Sequence, residues 1–568
     1  MIETKWVTKQ VSGRDVDVLA AETGLPRSLC SILAARGFVD RQSIEGYLNP
    51  RMSALSDPFA MPGVKKAAER VVAAVKSKQK ILIYGDYDVD GVTATTLTYS
   101  VLVRCGADVR YFVPDRFADG YGLSEESLLK ALSGCHTDLV ITVDCGTSSA
   151  GAVLKAAEMG IDVIVTDHHK PSEKQAPAYA LINPCFYDDP NTASLSGVGV
   201  AFKLCHGIIK VARANGDDFA GIDLKNYFDL VALGTVADVV EISGENRVYV
   251  KYGLERLKVT SSIGLKALMQ SAKLDVSRIG SYHIGFVLGP RINAAGRMGK
   301  ADLAVKLLLS NDPAEAAEFA QTLEEMNADR RSVEDRITKK IHADIEAHID
   351  ELGSSIVAAG DGWHEGVIGI VASRLTGRYY RPSAVISCEG DECKGSCRSI
   401  EEVDVFEVLK GCGDLLLDYG GHRQAGGFSI KRGLISEFKK RFEDGCAKQL
   451  TGRPSKSLSI DAWIQLSEID DVLYEALCRM EPFGEGNEEP VFALKGITLN
   501  GPPRILKEAH VKMSISSGRR YIDAIAFNMA YKKVPDGPID LAFTIDENEY
   551  NGRTSLQLMV KDYRAASL

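Results

Sequence analysis

The sequence predicts an α/β protein with two α/β lobes joined by a long helical connector and followed by a small β-barrel. Three features of the pattern indicate this architecture. Between residues 63 and 245, short apolar runs alternate with stretches of helical periodicity, which is typical of βαβ units around a parallel sheet. A shorter alternation of the same kind follows from 354 to 452. Residues 456–568 contain short strand-like runs separated by turns, which is typical of a compact barrel.

The composition is that of a globular protein with a sizeable core. Of the 568 residues, 45% are hydrophobic and 25% are charged. No apolar run reaches the ~18 residues that a membrane span requires, and the N-terminus lacks the apolar segment of a signal peptide. These features predict a cytoplasmic protein with no membrane partner. The formal net charge of -10 argues weakly against nucleic acid as a partner, but metal ions bound to several aspartates would weaken that argument.

Residues 1–62 are predicted to form a helical lead-in to the first lobe. Apolar residues recur at helical spacing in the runs VDVLAAETGLP and SLCSILAARGF. The segment LNPRMSALSDPFAMPG then interrupts this pattern with proline, serine and glycine. No pattern in the lead-in indicates chemistry.

Three aspartates follow the first predicted strand of the first lobe, which occupies residues 63–245. Asp86, Asp88 and Asp90 stand at every second position, so an extended backbone would turn all three to one side. Carboxylates crowded in this way repel one another, and a divalent cation offsets the repulsion. An acidic turn with one aspartate capping the next helix is the alternative interpretation.

Three further segments of this lobe bring acidic or imidazole side chains to the ends of apolar stretches. The predicted strands are residues 80–84, 108–113, 139–143 and 163–166. Asp144 follows the third strand, Asp167, His168 and His169 follow the fourth, and Asp238 ends a later apolar stretch. Because ligands bind at the carboxyl ends of parallel strands, these side chains are expected to meet the first three aspartates at one sheet edge. Each one alone is explained as a turn or capping residue, but their number favours a metal site.

The predicted ligands indicate the class of metal. Carboxylates with one or two imidazoles and no thiolate suit Mn²⁺ or Mg²⁺ better than structural zinc. More candidate ligands are present than one ion needs, so two ions are expected, an arrangement typical of phosphate-ester hydrolysis. The spacing of Cys388, Cys393 and Cys397 does not match a structural zinc site. A disulfide framework is not expected without a secretion signal.

Several motifs of the first lobe resemble those of the DHH phosphoesterase superfamily. They are DYDVDG, VDCG, DHH and GTVADV, in that order along the chain. The flanking motifs PDRFADGYGL, GPRINAAGRM, KGSCRS and GGHRQAGGF resemble one branch of that superfamily, the exonucleases that degrade single-stranded DNA from its 5′ end. The resemblance extends from about residue 30 to the end of the chain and rests on many separate motifs.

The resemblance implies roles for individual residues at the metal centre. Ligands to the metal are implied at Asp88, Asp90, Asp144, His168 and Asp238. His169 would act at the same centre, as a ligand or in placing the attacked phosphate, and is therefore a catalytic candidate. Asp86 is expected to be a ligand, to hold a ligand in place, or to cap the following helix.

Residues 246–353 are predicted to be a helical connector. Apolar residues recur every four positions and predict the packing face of one long helix: Val333, Ile337, Ile341, Ile345 and Ile349. Before that helix, Arg291 and Arg297 flank small residues in a segment predicted to be a loop, from which guanidinium groups reach substrate phosphates. Arg291 is also assigned a catalytic role in stabilising charge at the attacked phosphate. Two surface arginines without a function are the alternative.

The second lobe, residues 354–452, is predicted to contact the substrate. Glycine pairs on both sides of His422 would let the backbone approach a ligand, although a glycine-rich hairpin explains them equally well. The resemblance implies that this lobe is of the DHHA1 type and that His422 binds substrate phosphate and takes part in catalysis. Ser396 and Arg398 of this lobe, with Arg116 of the first, match the positions at which the family binds the end of the strand.

Residues 456–568 are predicted to form a Greek-key barrel of the oligonucleotide-binding type, with five or six strands and a helix at residues 471–478. Four aromatic residues are candidates for its core: Phe483, Phe492, Tyr521 and Phe527. Four basic residues are candidates for the lining of a strand-binding groove: Arg519, Arg520, Lys532 and Lys533. A solvated basic face is the alternative.

The motifs lead to one predicted activity. The protein is expected to hydrolyse single-stranded DNA from its 5′ end by in-line attack at a site with two Mn²⁺ or Mg²⁺ ions, in DNA repair and recombination. The expected partners are single-stranded DNA, a helicase and a single-strand-binding protein. A phosphodiesterase of short oligonucleotides or cyclic dinucleotides is the alternative enzyme. A non-catalytic strand-binding scaffold is the alternative of a different class.

Overall fold

The computed structural model describes residues 4–116, 118–120, 122–171, 175–452, 454–517, 520–550 and 553–566. The described residues form two compact units. The first unit contains residues 57–240 and 252–456, and the second contains the described parts of 3–56, 241–251 and 457–568. Among the described helices, none combines the length and the apolar character needed to cross a bilayer.

The elements are numbered in chain order. The strands are β1 (Lys5–Thr8), β2 (Lys80–Tyr84), β3 (Asp108–Phe112), β4 (Leu139–Val143), β5 (Asp162–Thr166), β6 (Ala180–Ile182), β7 (Ile356–Asp361), β8 (Ser383–Glu389), β9 (Glu392–Arg398), β10 (Leu416–His422), β11 (Ala425–Lys431), β12 (Ser457–Ile460), β13 (Ala462–Trp463), β14 (Phe492–Ile497), β15 (Arg504–Leu506), β16 (His510–Ser517), β17 (Arg520–Ala526), β18 (Ile539–Tyr550) and β19 (Arg553–Ala565). The helices are α1 (Gly13–Thr23), α2 (Arg27–Ala35), α3 (Arg41–Leu48), α4 (Val64–Lys76), α5 (Val89–Arg104), α6 (Glu125–Leu132), α7 (Ala150–Glu158), α8 (Gly197–Asn215), α9 (Phe228–Ala237), α10 (Gly244–Lys258), α11 (Ile263–Ser271), α12 (Ser281–His283), α13 (Gly289–Arg297), α14 (Ala301–Leu309), α15 (Pro313–Ala347), α16 (Glu365–Tyr379), α17 (Val405–Gly411), α18 (Ile435–Gln449) and α19 (Asp471–Cys478).

The first lobe contains a parallel sheet in the order β3-β2-β4-β5-β6. Strand β4 is buried along its whole length, as expected of a central strand with helices on both faces. The chain pairs β3 with one side of β2 and then places β4 on the other side, so the strand order reverses between β2 and β4. Loops diverge at such a reversal and leave a crevice for a ligand at the carboxyl ends of the strands.

The predicted strands of this lobe are confirmed, with ends that differ by one residue. Strand β3 ends at Phe112 and β5 begins at Asp162. Strand β6 was not predicted, because three residues are too few to show a period of two.

The connector is dominated by α15, a helix of 35 residues that is about 50 Å long. Four residues of the predicted stripe pack against the second lobe: Val333, Ile337, Ile341 and Ile345. Their partners include Val367 and Val371 on α16. Ile349 lies past the end of α15 in a short 3-10 turn and is half exposed. The packing role predicted for the stripe is therefore confirmed for all of it except Ile349.

The second lobe contains a mixed sheet in the order β10-β11-β9-β8-β7. Only β7 and β8 run parallel, and the other neighbouring strands are antiparallel. Helix α16 follows β7 and packs on β8 and β9, which places its first turns close to the end of β9.

Two of the cysteines considered as zinc ligands form a disulfide instead. Cys388 and Cys393 lie opposite each other on β8 and β9 and are bonded, while Cys397 is buried in the apolar core of the lobe. The judgement against zinc agrees with this arrangement. The sequence argued against a framework of disulfides and did not predict this single bond. Antiparallel register places directly opposite side chains within reach of each other.

The second unit joins the N-terminal helices to the C-terminal sheet. That sheet has the order β13-β14-β18-β19-β17-β16-β15, and β1 pairs in parallel with β12. Leu29 and Ile32 of α2 share one apolar core with Leu473, Phe492 and Phe543. The N-terminal segment, predicted as a lead-in of its own, is too small to bury an independent core and packs here instead.

The aromatic residues predicted for the barrel core divide into two pairs. Phe492 is fully buried and Phe483 packs at the edge of the same core. Tyr521 and Phe527 are 64% and 48% exposed, so the core prediction is wrong for both. Tyr521 alternates with buried Ile522 on β17, which turns it to the outer side of the sheet, and Phe527 lies in the turn after that strand.

The basic residues predicted to line a groove have different surroundings. Arg519 and the side chain of Arg520 lie outside the described residues. Lys532 forms an ion pair with Asp562, and its Nζ lies 4.9 Å from the centre of the Tyr563 ring, so it stabilises the unit internally. Lys533 is exposed and pairs with Asp536 at 3.3 Å, and its role in a groove stays a prediction.

Candidate metal centre

The loop between β2 and α5 supplies three aspartates to the sheet edge. Asp86 and Asp90 are each 1% exposed. Asp88 caps α5, because its Oδ1 accepts hydrogen bonds from the N–H groups of Asp90 and Gly91 at 2.9 and 3.1 Å. Capping by Asp86, one of the alternatives considered, is therefore wrong. The Oδ1 of Asp86 accepts only from the N–H of Tyr87, at 2.8 Å, among the hydrogen bonds of the described chain.

The position of Asp90 is fixed by the start of α8. Its two carboxylate oxygens accept hydrogen bonds from the N–H groups of Gly197 and Val198 at 2.5 and 2.9 Å. Close packing within the loop requires glycine at position 91, where a Cβ would lie 2.5 Å from the carbonyl oxygen of Asp86. The aspartates are therefore held by backbone contacts before any ligand binds.

Asp144 follows β4 in a strained conformation. Its φ of 63° lies in the left-handed region that non-glycine residues rarely adopt, and such strain is concentrated at functional sites. The carboxylate is 1% exposed, and its Oδ1 has no hydrogen-bond partner among the described residues. Gly197 leaves space for it, since a Cβ there would lie 2.4 Å from Asp144 Oδ1.

The loop after β5 is organised by Asp167. Its Oδ1 accepts hydrogen bonds from the N–H groups of His168 and His169 at 2.8 and 3.1 Å, and lies 2.8 Å from Nδ1 of His169. Its Oδ2 accepts from the N–H of Thr147 at 2.9 Å. Asn183 donates to the His169 carbonyl and to Thr147 Oγ1, both at 2.9 Å. Asp167 and Asn183 thus position the two histidines, and sequence reasoning missed Asn183 altogether.

His168 lies at the centre of the carboxylates. Its Nε2 is 3.2 Å from Asp144 Oδ1, 3.4 Å from Asp238 Oδ2 and 3.8 Å from Asp90 Oδ2. This nitrogen is buried and forms no hydrogen bond to any described residue. Asp238 reaches the same point from the C-terminal end of α9. The predicted convergence of strand ends and the later apolar stretch is therefore present in the structure.

The converging side chains form overlapping groups of possible ligands. Three groups have ligand atoms that all lie within 4.8 Å of one another: Asp144, His168 and His169; Asp90, His168 and Asp238; and Asp86, Asp88 and Asp144. Asp144 and His168 each belong to two of these groups. Shared ligands between adjacent groups are the arrangement expected of two neighbouring ions. We call Asp86, Asp88, Asp90, Asp144 and Asp238 the carboxylate cluster.

Burial and mutual repulsion disfavour negative charge on the carboxylate cluster. Burial, followed by the charge of Asp88, raises the pKa of Asp86 and of Asp90 to about 7. Burial and then the charge of Asp90 raise the pKa of Asp238 to about 9 and that of Asp144 well above its usual value. Without a cation, the cluster therefore holds protons at neutral pH, and a divalent ion would replace them.

The two histidines differ in charge. Burial, and then the neighbouring His169, lower the pKa of His168 to about 4, so its imidazole is neutral and suited to a metal. Burial also lowers the pKa of His169, but its hydrogen bond to Asp167 and the surrounding carboxylates outweigh this and raise the pKa to about 9. His169, which is 42% exposed, is therefore a cation at the mouth of the site.

The residues present fit divalent metal ions. Two buried polar atoms, Asp144 Oδ1 and His168 Nε2, lack a hydrogen bond in the described chain and point to the same place. Buried polar groups are normally paired, so an unpaired pair of this kind indicates a missing ligand. Oxygen donors with imidazole and no thiolate suit Mn²⁺ or Mg²⁺.

Four arginines lie near one another in the first unit, and we call Arg116, Arg297, Arg330 and Arg398 the arginine cluster. Burial and then the charges of the other three lower the pKa of Arg297 to about 10. The guanidinium of Arg116 lies 5.5 Å from the centre of the Tyr87 ring. In the sequence, Tyr87 stands between Asp86 and Asp88 of the carboxylate cluster. The arginine cluster therefore lies next to the loop that holds the predicted metal ligands.

Two glycines of α16, Gly366 and Gly369, lie next to members of the arginine cluster. Arg297 donates from Nη1 to the carbonyl of Gly366 at 3.4 Å. At Gly369 an added Cβ would lie 3.0 Å from Ser396 Oγ and 3.2 Å from Arg398 Nη2. Arg398 donates to Ser396 Oγ at 3.2 Å. The structure thus places the predicted substrate residues Arg297, Ser396 and Arg398 around the first turns of α16. The charge of Arg116 acts on both Arg297 and Arg398 and lowers the pKa of each.

Two other predicted site residues are placed differently. Arg291 lies on α13 and not in a loop, because the apolar and small residues of this segment continue a helical pattern. Its guanidinium binds Glu324 at 2.5 Å and the carbonyl of Val287 at 2.6 Å, so it does not point to an open site. His422 is exposed at the end of β10, and its imidazole forms no hydrogen bond or ion pair with any residue that the structure describes.

A pair of exposed aromatic side chains shortly precedes Gly289, which packs next to the metal centre, and this pair was not predicted. Tyr282 and Phe286 are 67% and 71% exposed, with ring centres 5.0 Å apart and planes 28° apart. Phe286 belongs to a π-helix, Ile284–Leu288, a rare structure often found at functional sites. At Gly289, an added Cβ would lie 3.4 Å from Ala237 and 3.9 Å from Val89, both adjacent to cluster aspartates. The i, i+4 spacing of the two rings was the signal available in the sequence.

Three family models match this chain. The DHH family N-terminal domain matches residues 80–235, the DHHA1 domain matches 352–448 and the RecJ OB domain matches 460–562. The matches overlap the two predicted lobes and the predicted barrel, and they confirm the predicted fold class.

Curated and solved proteins give the same result. The single-stranded-DNA-specific exonuclease RecJ of Dickeya dadantii is 36% identical over 581 residues, which cover 95% of this chain and 97% of that protein. The crystal structure of RecJ from Thermus thermophilus in complex with Mn²⁺ has a TM-score of 0.85 and 29% identity, covering 100% of this chain and 80% of that one. The Mg²⁺ complex of the same protein has a TM-score of 0.79 and 28% identity, covering 100% and 79%.

Proposed function

The chain belongs to the RecJ family, and from this premise we propose that it degrades single-stranded DNA from the 5′ end by hydrolysis of phosphodiester bonds. The observation that supports this most directly is the pair of shared ligands, Asp144 and His168, at the centre of the carboxylate cluster. The arginine cluster beside it supplies the positive charge that a strand of phosphates requires. Mn²⁺ and Mg²⁺ are the cofactors that the donor set and the solved relatives support.

The residues proposed to hold the ions are the carboxylate cluster and His168, with Asp86 and Asp88 on one side and Asp90 and Asp238 on the other. When bound, two divalent ions supply a water of lowered pKa and positive charge that offsets the charge developing on the phosphate. Asp167 and Asn183 keep the histidine loop in place through the hydrogen bonds described above.

His169 is proposed to bind the attacked phosphate and not to depend on the metal for its charge. The imidazole donates a hydrogen bond from Nδ1 to Asp167, which keeps the ring protonated, so its other N–H is available to a phosphate oxygen at the mouth of the site. In the transition state that oxygen gains charge, and the hydrogen bond strengthens. His422 is proposed to contact the same phosphate from the second lobe, where the exposed end of β10 leaves its ring free.

The polarity is proposed to come from the group formed by Arg116, Ser396 and Arg398. A 5′-phosphate carries nearly two negative charges and three acceptor oxygens, and two guanidinium groups with a hydroxyl are suited to bind it. The guanidinium of Arg116 lies 5.5 Å from the centre of the Tyr87 ring, which supports binding of the strand end next to the metal ligands. The contacts of Arg291 support an indirect role, in which its bond to Glu324 holds α13 on α15 and thereby orients Arg297.

Two observations support a single strand as the substrate. Tyr282 and Phe286 present exposed ring faces, and unpaired bases stack on such rings. The match to the RecJ OB domain at residues 460–562 adds a strand-binding fold, which a phosphodiesterase of dinucleotides does not need. We propose that the protein acts on DNA in repair and recombination, in the bacterial cytoplasm. A helicase would provide the single strands, and a single-strand-binding protein would cover them.

The function is tested by comparing substrates. Long single strands, the same strands as duplexes with blunt ends, and dinucleotides are incubated with the protein and Mn²⁺, each with and without excess EDTA. We expect rapid release of mononucleotides from the single strand, slow release from the duplex and none with EDTA. Faster hydrolysis of dinucleotides than of long strands would support the alternative enzyme, and hydrolysis that survives EDTA would contradict a metal-dependent site.

A further inference from the structure

Arg330 on α15 is an arginine whose contacts inside the protein do not use all of its donors. Its side chain is 12% exposed. Nη2 donates to Asn327 Oδ1 at 3.0 Å, and Nη1 donates to Glu334 Oε2 at 3.3 Å. Nε is buried and has no hydrogen-bond partner in the described part of the chain. A buried donor without a partner is uncommon and calls for a ligand.

The carboxylate beside Arg330 does not neutralise it, because Glu334 is shared. Glu334 is 1% exposed, and its Oε1 lies 2.5 Å from Nε of Arg374 on α16. One buried carboxylate therefore faces two guanidinium groups. Arg374 also binds Asp335 at 2.7 Å, but Asp335 is half exposed and points outward from α15. Arg374 therefore has a second carboxylate partner, whereas Glu334 is the only carboxylate bonded to Arg330 among the described residues.

Arg330 faces the other members of the arginine cluster. Arg297 at the end of α13 donates from Nη1 to the carbonyl of Gly366 in the first turn of α16. Glu334, the carboxylate bonded to Arg330, pairs with Arg374 about two turns further along the same helix. Both guanidinium groups are therefore tied to α16, and the charge of Arg330 contributes to lowering the pKa of Arg297. The ion pair between Arg291 and Glu324 also joins α13 to α15. Arg291 precedes Arg297 by six residues, and Glu324 precedes Arg330 by six residues. Three helices, α13, α15 and α16, thus bring Arg297 and Arg330 together.

The number of arginines exceeds what one terminal phosphate needs. Arg116, Ser396 and Arg398 already supply two guanidinium groups and a hydroxyl for the end of the strand. Arg297 and Arg330 come from the connector helices, and like charges held together without an anion are unfavourable. A strand carries a phosphate at every nucleotide, so a second phosphate is available next to the first.

We propose that Arg330, together with Arg297, binds a phosphodiester inside the strand, at a subsite separate from the group that recognises the 5′ end. The proposal rests on the proposed function, because it takes single-stranded DNA as the ligand. Glu334 and Asn327 act as positioning residues that hold the Arg330 guanidinium toward Arg297. The subsite contacts the backbone and not the terminal group, so it adds affinity equally to strands with either kind of 5′ end.

The test compares Arg330→Gln with Arg336→Gln, a matched control on the same helix. Arg336 is exposed and forms no ion pair or hydrogen bond with the described residues, so its replacement changes net charge equally and breaks no contact. KM and kcat are measured on 5′-phosphorylated and 5′-hydroxyl strands at two salt concentrations. Equilibrium binding of the same strands in EDTA provides a readout without catalysis.

For Arg330→Gln we expect KM and the dissociation constant to rise about tenfold for both kinds of strand, with kcat changed less than about twofold. The ratio between the two strand ends should stay as in the wild type. The slope of the logarithm of affinity against the logarithm of salt concentration should decrease by about the contribution of one phosphate contact. Arg330→Lys, which keeps the charge, should recover part of the affinity, and Arg336→Gln should match the wild type.

Two results would overturn the subsite. A loss confined to 5′-phosphorylated strands would make Arg330 part of the end-recognition group. Unchanged binding, with a lower melting temperature and lower kcat, would make it a structural residue of the junction between α15 and α16. Failure of the wild type to degrade single strands would instead count against the proposed function, and this outcome is visible before any variant is made.

Discussion

The carboxylate cluster and the arginine cluster are both groups of like charges, but the chain assembles them in different ways. The carboxylates stand at the carboxyl edge of one parallel sheet and at the end of one neighbouring helix. The arginines come from a loop, two connector helices and a strand of the second lobe. Each cluster is unfavourable alone, because burial and repulsion oppose its charge. Metal ions would stabilise the first, and the phosphates of the substrate would stabilise the second.

The difference between the clusters explains what sequence reasoning reached. Parallel strands end at one edge, so Asp86 and Asp144 could be predicted to meet from local patterns alone. No local pattern connects Arg297 with Arg398, because their proximity depends on how α13 and β9 pack against the start of α16. The first cluster follows from a rule of topology, whereas the second follows from tertiary packing.

The largest expected effect concerns the shared ligand of the carboxylate cluster. We expect Asp144→Asn to lower kcat at least about a thousandfold, because the residue belongs to two ligand groups. Asparagine is the substitution of choice, since it tolerates the positive φ of this position and keeps its shape. Steady-state hydrolysis of a labelled strand measures the loss.

A matched control for this variant is Asp108→Asn, an exposed aspartate at the opposite edge of the same sheet. It should keep wild-type activity. The folded structure of Asp144→Asn should survive, because removal of one buried negative charge relieves repulsion in the metal-free protein. Substantial activity in Asp144→Asn would remove the carboxylate cluster from the mechanism.

A tenfold effect is expected in the arginine cluster. Arg398→Ala should raise KM about tenfold for 5′-phosphorylated strands and much less for 5′-hydroxyl strands. The reason is that Arg398 forms the proposed end-recognition group together with Arg116 and Ser396. Both substrates are measured at one salt concentration. Arg432→Ala is the control, because it lies at the far end of the same sheet and binds Asp361. An equal loss on both strand ends would make Arg398 a general backbone contact.

A smaller effect is expected at the aromatic pair. Tyr282→Ala and Phe286→Ala should each weaken binding of a single strand about threefold to tenfold, through lost stacking. A strand with abasic sites opposite the pair should bind wild type and variants alike. The control is Tyr179→Ala, which removes a partly exposed ring next to the amino end of β6. Equal losses on normal and abasic strands would contradict stacking.

The smallest effect concerns the stability of the metal-free protein. The pKa values of Asp86 and Asp90 are raised to about 7 and that of Asp238 to about 9, from 3.8. A carboxyl with a raised folded pKa contributes stability at low pH that is lost as the pH rises through that value. The melting temperature in EDTA should therefore fall by several degrees between about pH 6 and about pH 9.

Saturating Mn²⁺ should flatten this pH dependence, because the ions replace the protons. Scans of thermal unfolding with EDTA and with Mn²⁺, over the same buffers, make the comparison. A melting temperature in EDTA that rises over this range would show that the cluster is not under electrostatic strain.

The structure also corrects sequence reasoning at positions where the reason is physical. Asp88, and not Asp86, caps α5, because capping depends on backbone angles that residue types do not reveal. Arg291 lies on a helix in contact with Glu324, since the small residues around it are compatible with helix as well as loop. Asp144 adopts a positive φ with its carboxylate packed against Gly197, and neither feature is visible in the residue types alone. Asn183 stands outside every motif, so its role was visible only in three dimensions.

The central claim is that the carboxylate cluster holds two divalent ions through shared ligands, and a titration of Mn²⁺ tests it most directly. Calorimetric titration of the metal-free protein should give about two ions per chain in the wild type and weaker binding at both sites in Asp144→Asn. The Asp108→Asn control should match the wild type. A single ion in the wild type, or unchanged binding of both ions in Asp144→Asn, would contradict the claim.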